Sequence, residues 1–494
     1  MFVISFSYIM GAAASGGDVP EVRTTAGPAF CPSSADRWRP PVIRSLALMS
    51  PLARHAPTLL VLLLASACSI AGGLTPGAAP SAESPSPSLK VLSNGVRVLV
   101  QEFEASEVVA IQLWVRTGGR DEASSELGLA HYLEHMLFKG TALRAPGFVE
   151  REVEGVGGGI NAGTSLDYTY YHTVLPARRA VAGIEMLADI SVNSTLDPTA
   201  LDLEKRVVLE EMRLTEDNPR RLMFRQIYEV LFAGHPYGRP VIGTPELVRG
   251  LTRDTLMAFY RRHYVPDAFV LVVVGPVKTA DVLTVAERTL GRLPRSGFQR
   301  LPLAPPGEFR PKRLDVERPG TQAYLGLAWL GPKLDHADTP AVDLLVSILG
   351  QSRTSRLTQS LRERLALVSS IETDYTPLEA AGVVSVVAQL TPANLPRVEA
   401  EVLEEIRRLR ERGVSPAELR RAVTAAEAGN AFSVETAEGR ARTYGRAETV
   451  WRLPEELAYV DRLRSVTPEQ IRAAARRYLD PERYGRLAFV PPAK

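Results

Sequence analysis

The sequence predicts an α+β protein of two homologous domains, each of about 200 residues and each a β-sheet packed with helices. Three observations predict this fold. The chain has 494 residues, 45% hydrophobic and 23% charged, which is a globular composition with room for two or three cores. Segments with strand and helix patterns alternate along it. A helix–turn–strand unit also recurs at a fixed distance.

The residue counts exclude several classes of protein. The 58 basic and 56 acidic residues give a net charge of +2, which indicates no nucleic-acid partner. Both cysteines, Cys31 and Cys68, precede residue 70, so the rest of the chain has no internal disulfide, zinc ribbon or cysteine nucleophile. No apolar run reaches the roughly 18–20 residues of a spanning helix, which excludes a multi-pass membrane protein.

Residues 49–68 have the layout of a secretory signal. Arg54 provides a short basic region, an apolar stretch follows, and small residues precede Cys68. The layout resembles a bacterial lipoprotein signal, in which the cysteine carries the lipid, although Ala65 stands where leucine is usual. An ordinary cleaved signal is the alternative. We therefore expect a periplasmic, extracytoplasmic protein with a lipid anchor to the membrane at Cys68.

The signal divides the first 88 residues into three parts. Because a signal normally begins a chain, residues 1–48 are interpreted as an N-terminal extension from a misassigned start codon. Residues 69–88 are rich in Ala, Pro, Ser and Gly and predict a flexible tether.

The first domain is expected at 89–295. Asn94-Gly95 between apolar runs predicts a hairpin over 91–101. Val108–Val115 is a continuous apolar run and predicts a buried strand. The remaining patterns predict strands at 168–175 and 269–274 and helices at 127–138, 179–193 and 201–213.

The end of the first domain recurs at the end of the chain. TRDTLMAFYRRHYVP begins at Thr252, and TPEQIRAAARRYLDP begins 215 residues later, at Thr467. Each reads as an acidic-capped helix, an Arg-Arg pair and a proline before a strand. The recurrence predicts a second homologous domain at 312–494, joined to the first by a proline-rich linker at 296–311.

The sharpest chemical motif is His131-Tyr132-Leu133-Glu134-His135. On a helix, positions i, i+3 and i+4 share one face, so the two imidazoles and the carboxylate converge. Two imidazoles are good zinc ligands, and a free carboxylate beside them can act as general base. The order is H-x-x-E-H, the inverse of the commoner H-E-x-x-H signature. A solvated histidine-rich surface is the alternative for the motif alone.

A catalytic zinc needs a third protein ligand, and a second helix offers one. Glu210 and Glu211 are both candidates, and they point about 100° apart around the helix. Glu204 lies two turns before Glu211 on the same face, so one can ligate while the other orients a ligand. The His-His-carboxylate set suits zinc, although iron uses a similar trio.

The motif and its surroundings resemble the M16 (pitrilysin-type) metallopeptidases. The resemblance includes Gly128-Leu129-Ala130 before the motif, Met136 to Thr141 after it, Asn161-Ala162-Gly163-Thr164-Ser165, and the paired Glu210-Glu211. It covers about residues 89–494. The size resembles the processing-peptidase (M16B) branch, and the implied fold is two M16 peptidase/LuxS-like metallohydrolase domains that enclose a cleft.

The resemblance implies a role for each site residue. His131, His135 and Glu211 would ligate one Zn²⁺ per chain, with Glu211 favoured over Glu210. Glu134 would take a proton from the zinc-bound water, and Glu204 would be a second carboxylate that supports the site. The implied activity is that of a metalloendopeptidase.

Family resemblance places Asn161-Ala162 on an edge strand beside the zinc. An exposed edge can pair with an extended peptide, which selects short or unfolded substrates. Gly157-Gly158-Gly159 would allow close backbone approach, or form only a flexible turn. The alternating Tyr168, Tyr170 and Tyr171 favour core packing, with a cleft lining as the alternative.

In the family, the second domain lends an Arg and, seven residues later, a Tyr to the site. Arg362 fits the Arg, or is a surface arginine paired with a neighbouring glutamate. The position seven on is Ser369, and Tyr375 comes six residues too late. Such donors stabilise the developing oxyanion.

An intact zinc site without the tyrosine resembles the zinc-bearing member of a paired processing peptidase. The expected partner is a second M16 subunit carrying the Arg/Tyr pair, or a second copy of this chain. One alternative is a non-catalytic assembly or chaperone-like M16 homologue, although such chains typically lose motif residues. A metal-dependent hydrolase of non-peptide substrates is the other.

Overall fold

A computed structural model describes Ile4–Ser5 and residues 85–492 of the chain. The predicted signal at 49–68, Cys68 and nearly all of the tether and N-terminal extension lie outside these residues. Within the described part of the chain, no helix combines the length and the apolar character needed to cross a membrane.

The first half contains seven strands and eight helices of more than one short turn among the described residues. In chain order they are β1 (Ile4–Ser5), β2 (Ser88–Val91), β3 (Arg97–Glu102), β4 (Val108–Val115), α1 (Leu129–Leu137), α2 (Phe148–Glu154), β5 (Gly159–Thr164), β6 (Thr169–Pro176), α3 (Ala180–Val192), α4 (Pro198–Asp217), α5 (Pro219–Leu231), α6 (Pro245–Gly250), α7 (Arg253–His263), β7 (Phe269–Gly275) and α8 (Thr279–Arg288).

These strands form one mixed sheet in the order β1-β5-β6-β4-β7-β3-β2. Only β3 and β7 pair in parallel; the remaining neighbours are antiparallel. The central strands β4 and β7 are buried almost throughout, as their continuous apolar runs predict. The predicted β2–β3 hairpin and the predicted bounds of β4 are confirmed.

The second half contains five strands and seven α-helices among the described residues. In chain order they are β8 (Lys312–Glu317), β9 (Ala323–Gly331), α9 (Thr339–Val346), β10 (Val368–Pro377), β11 (Gly382–Leu390), α10 (Leu395–Arg412), α11 (Pro416–Ser433), α12 (Ala437–Val450), α13 (Leu453–Leu457), α14 (Tyr459–Arg464), α15 (Pro468–Tyr478) and β12 (Gly485–Val490), with π-helical segments at Ser347–Gln351 and Thr358–Arg364.

The second sheet repeats the order of the first. Its strands run β10-β11-β9-β12-β8, which matches β5-β6-β4-β7-β3, and the parallel pair again joins the corresponding strands β12 and β8. The helices α7 and α15 begin 215 residues apart, as do β4 and β9. The predicted α+β fold of two similar halves is therefore confirmed.

The caps of the repeated helices differ from the prediction. The side chains of Thr252 and Thr467 cap α7 and α15 in capping boxes, and the acidic residues Asp254 and Glu469 lie in the first turns instead. A hydroxyl at the N-cap accepts from a free N–H of the first turn, while a carboxylate one turn later complements the helix dipole.

Each half contributes a helix that packs on the sheet of the other half. The helix α12 packs on β4 and β7, where Gly445 lies against the buried indole of Trp114. An added Cβ at Gly445 would lie 2.1 Å from Trp114 Nε1, so only glycine permits this approach. In return, α5 packs on β9 and β12. The opposite face of the first sheet carries α1 and α3.

Candidate metal centre

The helix α1 carries the H-x-x-E-H motif and is buried along its whole length. It begins after Gly128, whose φ of 95° is left-handed and whose missing side chain leaves the first N–H groups without a conventional cap. Glu122 replaces that cap, since its carboxylate accepts from the N–H groups of Gly128 at 3.0 Å and Ala130 at 2.8 Å. The start of the metal-binding helix is thus held by a residue outside it.

The helix α4 brings a third ligand to the two histidines. Ligand atoms of His131, His135 and Glu211 all lie within 4.8 Å of one another, and all three residues are buried. Glu211 Oε2 lies 3.6 Å from His131 Nε2 and 3.7 Å from His135 Nε2. The corners of a tetrahedral zinc site are about 3.4 Å apart, so these separations fit such an ion closely.

The electrostatics of the group also fit a cation. Burial, reinforced by His135, lowers the pKa of His131 well below its ordinary value, so its imidazole is neutral. Both ring nitrogens of His131, Oε1 of Glu134 and Oε2 of Glu211 are buried without a hydrogen-bond partner. Such atoms are costly to leave unpaired, and a bound cation would satisfy them.

Glu204 orients one of the ligand histidines. Its Oε1 lies 2.8 Å from His135 Nδ1, and its Oε2 pairs with Lys139 at 2.9 Å. Burial alone would raise the pKa of Glu204, but His135 and Lys139 outweigh burial and lower that pKa. Because an ionised carboxylate only accepts, His135 carries its proton on Nδ1 and presents the lone pair of Nε2 toward Glu211. Sequence reasoning did not assign Lys139 a role.

The structure distinguishes the two adjacent glutamates. The side chain of Glu210 is 53% exposed and pairs with Arg213 at 2.6 Å, one turn further along α4. Glu211 points inward to the histidines. The geometry therefore supports Glu211 as the third ligand, as expected.

Glu134 lies beside the three ligands but is not part of their cluster. Thr164, at the end of β5, donates to its Oε2 at 2.5 Å. Burial raises the pKa of Glu134 well above its usual value; the Thr164 bond opposes this rise and the charge of Glu211 adds to it. A cation bound between these groups would lower that pKa again. Sequence reasoning did not single out Thr164, which it quoted only within a motif.

Comparison with known proteins identifies the family. Residues 97–245 match the family described as Insulinase (Peptidase family M16), and residues 250–426 match Peptidase M16 inactive domain. A protein named "Uncharacterized zinc protease" from Mycobacterium tuberculosis is 30% identical over 415 residues, which cover 82% of this chain and 93% of the relative. The chain belongs to peptidase family M16.

Other M16 relatives and solved structures agree. The zinc protease YmxG of Bacillus subtilis is 28% identical over 401 residues, covering 81% of this chain and 97% of YmxG. A protease from Helicobacter pylori shares the fold with a TM-score of 0.78 at 22% identity, over 83% of this chain and all of that one. A peptidase M16 inactive domain from Pseudomonas fluorescens gives a TM-score of 0.76 at 22% identity, over 83% of this chain and 99% of that one.

The strand β5 carries the predicted substrate-binding residues of this M16 chain. Asn161 and Ala162 pair with His172 and Tyr171 of β6 on the inner side. On the outer side, Ile4–Ser5 pair antiparallel with Thr164 and Gly163.

The residues around β5 differ in what they contribute. The side chain of Asn161 accepts from the backbone N–H of Ala162 at 2.9 Å. Gly157 has a φ of 75° and forms a turn before the strand. The three tyrosines of this region are buried, as core packing requires: Tyr168, Tyr170 and Tyr171.

The residues considered for the family's Arg and Tyr all lie in the second half, and each has different surroundings. Arg362 lies in the π-helical segment Thr358–Arg364 with an exposed side chain, and within residues 85–492 no ion pair holds it. Ser369 donates to the carbonyl of Gln389. Tyr375 is buried and donates to the carbonyl of Pro332 at 2.9 Å, so it does not replace the missing tyrosine.

Proposed function

We propose that this M16 peptidase is a zinc-dependent endopeptidase of the processing-peptidase (M16B) type that hydrolyses short or unfolded peptides. The observation that carries the proposal is the buried group of His131, His135 and Glu211, whose ligand atoms lie within 4.8 Å of one another, with a separate carboxylate beside them. These are the ligand number and type of a catalytic zinc site.

The three ligands would hold one Zn²⁺ per chain. When bound, zinc lowers the pKa of a coordinated water and polarises a substrate carbonyl. Glu134 accepts a proton at its unpartnered Oε1 and returns it to the leaving amine. Glu204 keeps His135 in the tautomer that ligates, and Glu122 fixes the start of α1.

Substrate would pair as an added strand along β5. The segment Ile4–Ser5 precedes the proposed signal, so an exported chain would lack it and its side of β5 would be open to a substrate. That segment pairs antiparallel with Gly163 and Thr164, which is the geometry that an added peptide strand would take. Asn161 and Ala162 lie on the same strand, directly before these residues. Main-chain pairing requires an extended peptide, which favours unfolded or short substrates.

Arg362 would be a substrate-contacting donor of the second half, as the resemblance implies. Its guanidinium is exposed and forms no ion pair within residues 85–492, so it is available to a substrate or to a partner subunit. Because Ser369 and Tyr375 do not supply the tyrosine, we infer that the chain is the zinc-bearing subunit of a dimer. The partner would be a second M16 subunit with the Arg/Tyr pair, or a second copy of this chain.

The signal layout of 49–68 supports an extracytoplasmic location. We propose export to the periplasm, with removal of the signal and lipid attachment at Cys68 as the anchor. Metabolic labelling with a palmitate analogue tests the anchor, since Cys68→Ala should abolish the label and leave an exported chain.

The test of the function is hydrolysis of an unstructured quenched-fluorescence peptide by the purified chain. We expect cleavage that a chelator abolishes, zinc restores and Glu134→Gln removes. A folded, zinc-loaded chain that cleaves nothing, alone or with a partner carrying the Arg/Tyr pair, would instead indicate a non-catalytic M16 homologue. Cleavage that is much faster in the presence of the Arg/Tyr-bearing subunit would support a heterodimer, and equal rates would contradict the heterodimer and leave a dimer of two copies of this chain.

A further inference from the structure

Among the residues that the structure describes, Thr164 makes the one hydrogen bond to the carboxylate of Glu134. Its hydroxyl donates to Glu134 Oε2 at 2.5 Å, and both residues are buried, with at most 1% of each exposed. The other oxygen, Oε1, is buried without a partner. The two oxygens of the carboxylate are therefore inequivalent, one held and the other unpaired.

The hydroxyl of Thr164 also contacts a second threonine, Thr169, on the neighbouring strand. Thr169 lies opposite it in the β5–β6 register, with its Oγ1 3.5 Å from Thr164 Oγ1. Thr169 Oγ1 also donates to the carbonyl of Thr117 at 3.0 Å. The single proton of Thr169 goes to the nearer acceptor, the Thr117 carbonyl, and the 3.5 Å contact with Thr164 is weak. The proton of Thr164 is directed to Glu134, its much closer neighbour.

This bond constrains the direction of the carboxylate. When Glu134 is ionised, as a bound cation favours, this hydroxyl-to-carboxylate bond is charge-assisted and roughly twice as strong as a neutral one. Without it, the carboxylate could rotate about its last side-chain bond, since the terminal torsion of glutamate is broad. With Oε2 held, the plane of the group and the direction of Oε1 are both set.

We propose that Thr164 is a positioning residue that aims the free oxygen of Glu134 at the reacting atoms. The inference rests on the proposed function, because it needs Glu134 to act as the general base. Thr164 does not ligate the metal and acts only through Glu134.

The position of Thr164 also connects the base to the substrate strand. Thr164 and Ala162 are two apart on β5, so their side chains lie on the same face of the sheet. The strand that would pair with an extended peptide is thus the strand that holds the base. The backbone of β5 therefore fixes the position of the base relative to a bound peptide, which pre-organises the base.

The experiment compares three variants in the chelator-sensitive peptide assay. Thr164→Val keeps the shape and the strand preference of threonine but removes the hydroxyl. Thr164→Ser restores the hydroxyl, and Thr164→Ala is a second hydroxyl-free variant in case valine impairs folding. Zinc affinity, measured by competition with a chromophoric chelator, reports on the ligands independently of activity.

We expect Thr164→Val to lower kcat by roughly 10–100-fold with KM and zinc affinity unchanged, and Thr164→Ser to recover most of the loss. Folded hydroxyl-free variants with kcat within about two-fold of Thr164→Ser would overturn the proposal, as would a loss confined to KM or to zinc affinity. A wild-type chain without chelator-sensitive cleavage, alone or with a partner carrying the Arg/Tyr pair, would overturn the proposed function itself, which separates the two failures.

Discussion

The two halves of the chain share a fold but differ at one helix. In each half, a helical segment follows the strand at the centre of the sheet: α1 follows β4, and Thr339–Gln351 follows β9. The first segment carries two histidines and a glutamate, all buried. The second carries no histidine, and its buried side chains are mostly apolar, as Val346 and Leu349 illustrate.

The difference shows which side chains must be present for the fold to bind a metal. In the first half, buried nitrogen and oxygen atoms of the ligand group have no hydrogen-bond partner among the described residues, and a bound cation would satisfy them. In the second half the same position is filled by apolar side chains, which need no partner. The shared architecture therefore does not create the chemistry; a few side chains on one helix and its neighbour α4 do.

The largest expected effect is the loss of peptide hydrolysis when the general base of the first half is replaced. Glu134→Gln removes the base and leaves the metal ligands intact, so peptide hydrolysis should fall about 10²–10⁴-fold with zinc content unchanged. Glu210→Gln is the matched control, because that carboxylate is exposed and pairs with Arg213 on its own helix. Equal loss in both variants would contradict the assignment of Glu134.

A second variant asks whether the second half contributes to the chemistry at all. Arg362→Ala should lower the rate by roughly 10²–10³-fold if its guanidinium donates to the developing oxyanion. Arg364→Ala, which removes another exposed arginine of the same segment, is the control. Full activity of Arg362→Ala would restrict the catalytic groups of this chain to the first half.

A third variant tests the support behind the ligands. Glu204→Ala removes the carboxylate that contacts Nδ1 of His135 and pairs with Lys139, so the ligand histidine is less well oriented and zinc affinity should weaken roughly 10–100-fold. Asp202→Ala, at an exposed site on the same helix, should leave the affinity unchanged. Chelator competition measures both, and an unaltered affinity of Glu204→Ala would show that the second carboxylate is dispensable.

The smallest expected effect concerns the helix caps that recur in the two halves. Thr252→Ala and Thr467→Ala each remove an equivalent helix cap and should each lower the free energy of unfolding by about 1 kcal/mol. The serine variants, which keep the oxygen, should be close to wild type in denaturant titrations. A cost confined to one half would mean that the repeated helices do not play equivalent structural roles.

Much of the fold and of the metal site could be predicted from the order of the residues alone. The spacing of His131, Glu134 and His135 on a helix is local, and the 215-residue repeat predicted the second sheet. Glu211 could be preferred over Glu210 only through the family resemblance, because periodicity says that the two diverge and not which one faces inward.

The remaining site residues depend on contacts between distant segments. Glu122 caps α1 from a preceding loop, Lys139 pairs with α4, and Thr164 reaches Glu134 from a strand that is 30 residues away. Nothing in the local sequence pattern fixes these directions, since they follow from how β5 and α4 pack against α1. The exposed position of Arg362, in the π-helical segment Thr358–Arg364, is likewise not evident from its spacing.

The most direct test of the comparison is the zinc content of the purified, folded chain. Elemental analysis of wild type and of the His131→Ala/His135→Ala double variant, with Glu210→Gln as control, measures where the metal binds. The account predicts about one zinc per chain in wild type and in the control, and none in the double variant. A folded wild type that binds no zinc, or a double variant that retains it, would contradict the assignment of the metal site to the first half.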